Sequence, residues 1–144
     1  MLDFRIMLRN NSEENERITH SCDFTIDGES LLDILVREAG GHKDFLGCFA
    51  HGWKNLNEHS LKQLLLNDRP ETASGRCLIY VCPECADISC GAYGCKITKI
   101  NGRYIWSDFA YENGYEEPQS IAGLGPFEFS STSYESVIFR AYAL

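Results

Sequence analysis

The sequence has no apolar run long enough to cross a membrane and no export signal in its first residues. No stretch approaches the roughly 18 consecutive apolar residues that a membrane-spanning helix needs. The opening MLDFRIMLRNN has neither the apolar segment nor the small-residue cleavage site of a signal peptide. We therefore expect a cytoplasmic protein that has no membrane partner.

Positive charge is scarce, because 13 Lys and Arg stand against 21 Asp and Glu and give a net charge of -8. A protein that holds nucleic acid places an excess of basic side chains against the phosphates, and this chain has the opposite balance. We do not expect nucleic acid as a direct partner.

Signatures of common enzymatic mechanisms are missing as well. The sequence has no GxGxxG after a strand, no P-loop, no GxSxG turn and no HExxH helix. No motif therefore indicates nucleotide-dependent or standard hydrolytic chemistry. The histidines are scattered over the first half, where they are more typical of loop and packing residues than of a catalytic base; they are His20, His42, His51 and His59. The sequence therefore favours a non-enzymatic protein.

What the sequence does contain is an uneven distribution of charge. Residues 1–103 carry a net charge of -3, whereas residues 104–139 contain no Lys or Arg at all. Six carboxylates lie in that second segment: Asp108, Glu112, Glu116, Glu117, Glu128 and Glu135. The middle of the segment, residues 111–118 (YENGYEEP), mixes two tyrosines with three carboxylates in a turn-rich stretch that we expect on the surface.

Carboxylates interleaved with tyrosines suit the capture of a cationic protein. The negative field accelerates encounter, and the rings supply rigid contact area at low entropic cost. The candidate partner-binding residues are Asp108, Tyr111, Glu112, Tyr115, Glu116 and Glu117. The alternative interpretation is an ordinary solvated acidic loop.

The first half of the chain predicts two strands and a helix. Alternation of apolar and polar residues predicts a strand over Leu2–Leu8, and a second strand is expected over Cys22–Ile26. The polar run Arg9–Arg17 between them is predicted to be a loop. Ser30 is placed to cap a helix over Leu31–Ala39, which Gly40 and Gly41 end.

The next elements are a helix and a buried strand. The pattern from Asn57 to about Leu66 predicts a helix that buries Leu61, Leu64 and Leu65, and Pro70 ensures that it has ended. The almost wholly apolar run Cys77–Cys82 is typical of a strand buried on both faces, so we expect it at the centre of a sheet.

Asn101-Gly102 is the clearest structural signal in the sequence. It separates Cys95–Ile100 from Arg103–Phe109, two runs rich in β-branched and aromatic residues, and predicts a tight hairpin. A short strand near Phe127–Phe129 follows. Thr132 and Glu135 then match a capping box for a helix that presents Val137, Ile138, Ala141 and Tyr142. Together these elements predict a single α+β domain, mainly antiparallel sheet, with about three helices including a C-terminal one.

Four of the seven cysteines fall within fourteen residues, at Cys82, Cys85, Cys90 and Cys95. Without an export signal we expect thiols or metal ligands rather than a disulfide framework. Cys82 and Cys85 form a CxxC, the usual half of a zinc site, and Cys90 can add a third thiolate. The same CxxC can instead be a redox dithiol.

A structural role for the cysteine turn is the interpretation we favour. Cys77 and Cys82 would then be small core residues, while Cys85 and Cys90 would brace the turn. Cys95 lies on the predicted hairpin strand, so its side chain can point into the core. Cys48 and His51 offer another pair of ligands, and nothing in the sequence brings them to the turn.

Three motifs resemble those of an uncharacterised bacterial family. They are residues 81–92 (VCPECADISCGA), residues 106–115 (WSDFAYENGY) and residues 124–129 (LGPFEF), and the resemblance covers about residues 77–142. The family carries a CPxCxDxxCGA turn, a WxDF strand and a GPFxF strand before a final helix, and some members bear an oxidoreductase label. In the family the position of Cys95 is usually aliphatic, which implies that Cys95 is a core residue. No mechanism accompanies these motifs.

Small acidic domains without catalytic motifs are typical of immunity proteins, which neutralise toxins by covering the active site. Nuclease toxins are cationic because they hold nucleic acid. Our hypothesis is therefore a non-enzymatic immunity protein of the interbacterial-inhibition kind, whose partner is a basic toxin domain and which uses no cofactor. The alternative is a thiol- or zinc-dependent, oxidoreductase-like protein centred on Cys82, Cys85 and Cys90.

Overall fold

Two antiparallel sheets and three α-helices make up the part of the chain that the computed structural model describes, which is residues 1–11, 17–83 and 88–144. The strands are β1 (Leu2–Asn11), β2 (Arg17–Ile26), β3 (Glu29–Ser30), β4 (Cys77–Val81), β5 (Ala92–Ile100), β6 (Arg103–Glu112), β7 (Gln119–Ser120) and β8 (Phe127–Ser130). The helices are α1 (Leu31–Ala39), α2 (Lys54–Leu64) and α3 (Ser131–Tyr142). The predicted single α+β domain with a C-terminal helix is confirmed.

The first sheet has the order β1-β2-β3, and its long hairpin pairs Leu2 with Ile26 and Asn11 with Arg17. Both strands are longer than the sequence predicts. The loop prediction is wrong for Arg9–Asn11 and for Arg17, which belong to the strands, while residues 12–16 lie outside the described part. Backbone pairing between two strands extends a hairpin even where the side chains are polar, because the ladder uses only backbone groups.

The second sheet has the order β4-β5-β6-β7, and β8 also pairs with β6. The predicted hairpin is confirmed: β5 pairs with β6, and Ile100 lies opposite Arg103. Asn101 and Gly102 both have positive φ, 52° and 73°. A two-residue type I′ turn requires positive φ at both central positions, which is why Asn-Gly is favoured there.

The prediction that the apolar strand lies at the centre of a sheet is wrong, because β4 is the terminal strand in the order of its sheet. Its burial comes instead from a bridging segment, residues 46–48. Leu46 exchanges two backbone hydrogen bonds with Val81 of β4, and Cys48 accepts one from Cys22 of β2. The apolar run therefore predicts the burial of β4 correctly and its position in the sheet incorrectly.

The bridging segment joins the two sheets through a close backbone contact at Gly47. A Cβ at this position would lie 1.9 Å from the backbone oxygen of Cys22, so no larger residue fits. Gly47 also donates its N–H to Ser21 Oγ at 3.0 Å. The larger hydrophobic cluster contains residues of both sheets, among them Phe24 of β2 and Tyr93 of β5.

The helices differ in how well their ends follow the sequence signals. Ser30 caps α1 as predicted, and Gly40 ends it in the left-handed conformation. The helix predicted from Asn57 begins three residues earlier, at Lys54, and ends at Leu64 rather than near Leu66. The Thr132 capping box is wrong, because α3 begins at Ser131 and its N-cap makes no side-chain hydrogen bond. No described helix is both long and apolar enough to span a membrane.

Aromatic rings fill the centre of the core. Trp106 of β6 is fully buried and packs edge-on against Phe24, Phe129 and Tyr134. The Trp106 indole N–H donates to Tyr134 Oη at 3.2 Å, and Tyr134 Oη donates to the backbone oxygen of Leu64 at 2.7 Å. This chain of hydrogen bonds connects β6, α3 and the end of α2.

A buried carboxylate holds the two sheets together on the other side of the core. Asp23 of β2 is fully buried and accepts hydrogen bonds from Tyr80 Oη at 2.6 Å and Ser30 Oγ at 2.6 Å. The guanidinium of Arg5 donates to the same carboxylate at 2.8 Å. A buried charge needs both a counter-ion and hydrogen bonds, and Asp23 obtains them from Arg5, Tyr80 and Ser30.

Candidate functional site

The structure divides the six predicted partner-binding residues into a group that is ion-paired or packed against other residues and a group that is exposed and unpaired. Asp108 sits in a β-bulge of β6, where the register shifts opposite Gly94 and Lys96, and its φ is 53°. Its backbone oxygen accepts a hydrogen bond from Arg76 Nε at 2.7 Å. Its carboxylate pairs with Arg76 at 2.9 Å and with Lys96 at 3.1 Å. These hydrogen bonds, first from Arg76 and then from Lys96, lower the pKa of Asp108.

Glu112 is buried, at 4% exposure, and the expectation that the whole 111–118 stretch lies on the surface is wrong here. Arg76 Nη1 donates to Glu112 Oε2 at 3.2 Å, and Ser74 Oγ donates to the same carboxylate at 2.9 Å. Arg76 is itself buried, so it requires counter-charges inside the protein. Asp108 and Glu112 therefore neutralise Arg76 and contribute little to an acidic surface.

Tyr111 is half-buried and is held by packing. Its ring lies edge-on to Tyr93, with ring centroids 5.3 Å apart. A Cβ at Gly91 would lie 2.0 Å from Tyr111 Oη, so the tyrosine occupies the space that a side chain there would need. Tyr111 can offer only part of its ring to a partner.

Tyr115, Glu116 and Glu117 are exposed, and we call residues 113–117 the acidic turn. The Asn113 carboxamide oxygen accepts the backbone N–H groups of Tyr115 at 2.9 Å and Glu116 at 3.0 Å, which fixes the turn locally. Tyr115 is 80% exposed. Neither Glu116 nor Glu117 has an ion-pair partner among the described residues. The acidic turn is thus the part of the predicted site that remains open to a partner.

The cysteine turn does not assemble a metal site in the part of the chain described. Cys90 is disulfide-bonded, which departs from the expectation of thiols, and a disulfide sulfur cannot serve as a thiolate ligand of zinc. Cys82 is a free thiol and is half-exposed, so its predicted core position is wrong. Cys85 lies outside the described residues. No group of three metal-ligating side chains occurs among the described residues.

The other four cysteines are buried, free thiols: Cys22, Cys48, Cys77 and Cys95. Cys95 points into the core, as its strand position predicts, and Cys77 lies directly opposite it on β4. Cys48 Sγ donates to the backbone oxygen of Ile79 at 3.4 Å. Burial raises the pKa of Cys22 and of Cys77 to about 12 and raises that of Cys48 and Cys95 as well. These thiols are therefore unreactive core residues in the folded protein.

A cavity of about 150 Å³ lies between α2, β4 and the bridging segment, and sequence reasoning did not predict it. Its strand side is apolar, with Leu78, Ile79 and Val81. Its helix side carries polar residues at helical spacing, among them Ser60 and Gln63. The sequence pattern of this helix predicts the burial of Leu61, Leu64 and Leu65 and contains no signal that Ser60 and Gln63 face a cavity.

Two polar side chains distinguish this cavity from a simple packing defect. Gln63 is 8% exposed and lines the cavity, and its side-chain amide makes no hydrogen bond with the described residues. At the rim, His59 Nε2 lies 2.8 Å from Glu71 Oε1, at ion-pair distance but outside hydrogen-bond geometry. Among the described residues, the fully buried side-chain polar atoms without a hydrogen bond are Asn57 Oδ1 and His59 Nε2, and both residues line this cavity.

No protein-family model, curated protein or solved structure matches this chain. The family resemblance of residues 77–142 therefore stays a prediction.

Proposed function

We propose that this protein binds a positively charged protein partner through Tyr115, Glu116 and Glu117. The observation that carries the proposal is the state of these side chains, which are exposed and have no cation among the described residues to neutralise them. Every other carboxylate predicted for the site is already paired with Arg76 or Lys96.

The local structure of the acidic turn supports this role. Asn113 fixes the backbone before binding, so a partner does not have to order the turn, and this lowers the entropic cost of association. An exposed tyrosine beside two exposed carboxylates can insert into a pocket on the partner and exclude water from the charges beside it. The net charge of -8 accelerates encounter with a basic surface at low ionic strength.

Within that class, the partner we propose is a basic, nuclease-type toxin domain, and the protein is then an immunity factor that covers its active site. A nuclease surface must be cationic to hold phosphates, which makes it a natural complement to an acidic protein. An inhibitor that acts by occlusion needs no catalytic residue and no cofactor of its own.

Reversal of two charges tests the proposal directly. The partner to use is a basic, nuclease-type toxin domain, with binding measured by calorimetry and inhibition by a nuclease assay. In Glu116→Lys/Glu117→Lys, like charges would face each other across the interface, and we expect affinity to fall by about 100-fold or more. Tyr115→Ala should cost about 30-fold, as loss of a buried aromatic anchor does.

The matched control is Glu58→Lys/Glu128→Lys. Both residues are exposed, and the double substitution changes the net charge by the same amount as the test variant. It should slow association slightly and leave inhibition in place. Equal inhibition by the wild type and the Glu116→Lys/Glu117→Lys variant would rule out the acidic turn as the binding surface.

A further inference from the structure

The cavity between α2 and β4 has features that core packing does not explain. Protein interiors contain few voids larger than a water molecule, and this one measures about 150 Å³. A helix that packs on a sheet normally turns apolar residues inward. Here α2 turns His59, Ser60 and Gln63 toward the strand.

Gln63 is the most informative of these residues. Its side chain is more than nine-tenths buried, it lines the cavity, and no described residue donates to or accepts from its amide. A carboxamide offers one acceptor and two donors within a single plane. The Gln63 amide is not among the fully buried polar atoms without a partner, which are Asn57 Oδ1 and His59 Nε2 in the described part of the chain, so it retains accessible surface.

The opposite wall of the cavity is apolar. Leu78, Ile79 and Val81 of β4 line it, and Phe49 and Leu56 extend it at the end nearest the start of α2. A ring that lies against this wall would bury one apolar face and bring its edge toward Gln63. Cavities of about 150 Å³ accommodate one six-membered ring.

We propose that this cavity is a binding site for a small single-ring molecule with an amide-type edge, in which an N–H lies beside a C=O. Such an edge pairs with the Gln63 carboxamide through two hydrogen bonds, because each group supplies the donor that the other accepts. The ring packs on Ile79 and Val81. This site shares no lining residue with the acidic turn and does not depend on the proposed partner.

The probes that test the site differ in their polar edge and are similar in size. They are 2-pyridone, which has the N–H and C=O, phenol, which has a single hydroxyl, and benzene, which has neither. Binding to the full-length protein is followed by two-dimensional ¹H–¹⁵N spectra, which report both the β4 amides and the Gln63 side-chain NH₂. We expect 2-pyridone to bind at least about 10-fold more tightly than benzene and to shift the Gln63 NH₂ signals.

Gln63→Leu is the discriminating variant, since it removes the amide and keeps the volume. It should weaken 2-pyridone binding by about 10-fold or more and leave benzene binding within about threefold. Ser60→Trp, which fills the cavity from the helix side, should abolish binding of all three probes while the remaining spectrum stays native.

Three outcomes would overturn the proposal. The first is that no probe binds at millimolar concentration, which would make this a water-filled cavity. The second is that benzene binds as well as 2-pyridone, because then the amide plays no part in recognition. The third is that Gln63→Leu leaves 2-pyridone affinity unchanged.

Discussion

The buried Arg76 uses two nearby carboxylates as its counter-charges. It precedes the apolar strand β4, and its side chain is 7% exposed. Desolvation of a cation inside a protein is costly unless carboxylates surround it, and Asp108 and Glu112 supply them. The acidic segment was therefore predicted correctly as a cluster of charge and only partly as a surface, because sequence gives no indication of which carboxylates an internal arginine will use.

Asp108→Asn should change the pH dependence of stability. The folded protein lowers the pKa of Asp108 below its unfolded value of about 3.9, so its stabilisation is present above that value and is lost as the pH falls through the folded pKa. Asn also tolerates the positive φ of this position. Thermal melts should show a Tm gap between wild type and variant that is constant from pH 7 to about pH 5 and narrows below about pH 4.

A gap that persists unchanged to about pH 2.5 would show that the carboxylate charge does not matter at Asp108. Lys96→Met is a useful companion, since it removes the weaker of the two partners and leaves Arg76 in place. In a Lys96→Met background, Asp108→Asn should produce a smaller Tm gap than it does in the wild type, but the gap should not disappear.

The free thiols should separate clearly by reactivity. Cys82 is half-exposed, whereas Cys22, Cys48, Cys77 and Cys95 are buried and have raised pKa values. Because the thiolate is the reactive form, iodoacetamide at pH 8 should modify Cys82 in the native protein and the other four only after unfolding in guanidinium. Peptide mass spectrometry identifies each site. Native labelling of Cys77 or Cys95 at the rate of Cys82 would contradict the burial described here.

Among the helices and strands, the features that depend on residues close in sequence were predicted correctly, and those that depend on distant segments were not. The β5–β6 hairpin and the ends of α1 depend on residues within a few positions of one another, and both were predicted from sequence. The extension of β1 and β2 and the terminal position of β4 depend on pairing with distant segments. Those features could not be read from local patterns.

Ser30→Ala should cost more than an ordinary helix cap. Ser30 Oγ accepts the N–H of Asp33 at 3.1 Å and also donates to the buried Asp23 carboxylate at 2.6 Å. Loss of a cap costs about 1 kcal/mol, and loss of a hydrogen bond to a buried charge adds about 1.5 kcal/mol or more, so we expect a total of roughly 2–3 kcal/mol. Urea unfolding followed by circular dichroism measures the change.

Thr132→Ala is the matched comparison, because a capping-box role would make it equally damaging. Thr132 is exposed, and the N-cap of α3 makes no side-chain hydrogen bond. The variant should stay within about 0.5 kcal/mol of wild type. A larger loss at Thr132 than at Ser30 would contradict the structural assignment of both caps.

At the scale of the whole molecule, two polar connections stabilise the contact between the sheets. Asp23 joins β2 to β4 through Tyr80, and the bridging segment joins the same two strands through Leu46 and Cys48. The cavity lies beside this junction, where α2 meets β4. Ile88 lines the cavity and also lies 3.4 Å from where a Cβ of Gly114 would be, so the acidic turn and the cavity are neighbours.

The sequence by itself determined the α+β class, the Asn101-Gly102 turn, the Ser30 cap and the excess of negative charge. Each of these follows from local conformational preference or from composition. Only the tertiary structure decided that Glu112 is internal, that β4 ends its sheet and that Gln63 faces a cavity. Those outcomes depend on which distant groups meet, because burial and charge neutralisation are properties of a residue's surroundings in three dimensions.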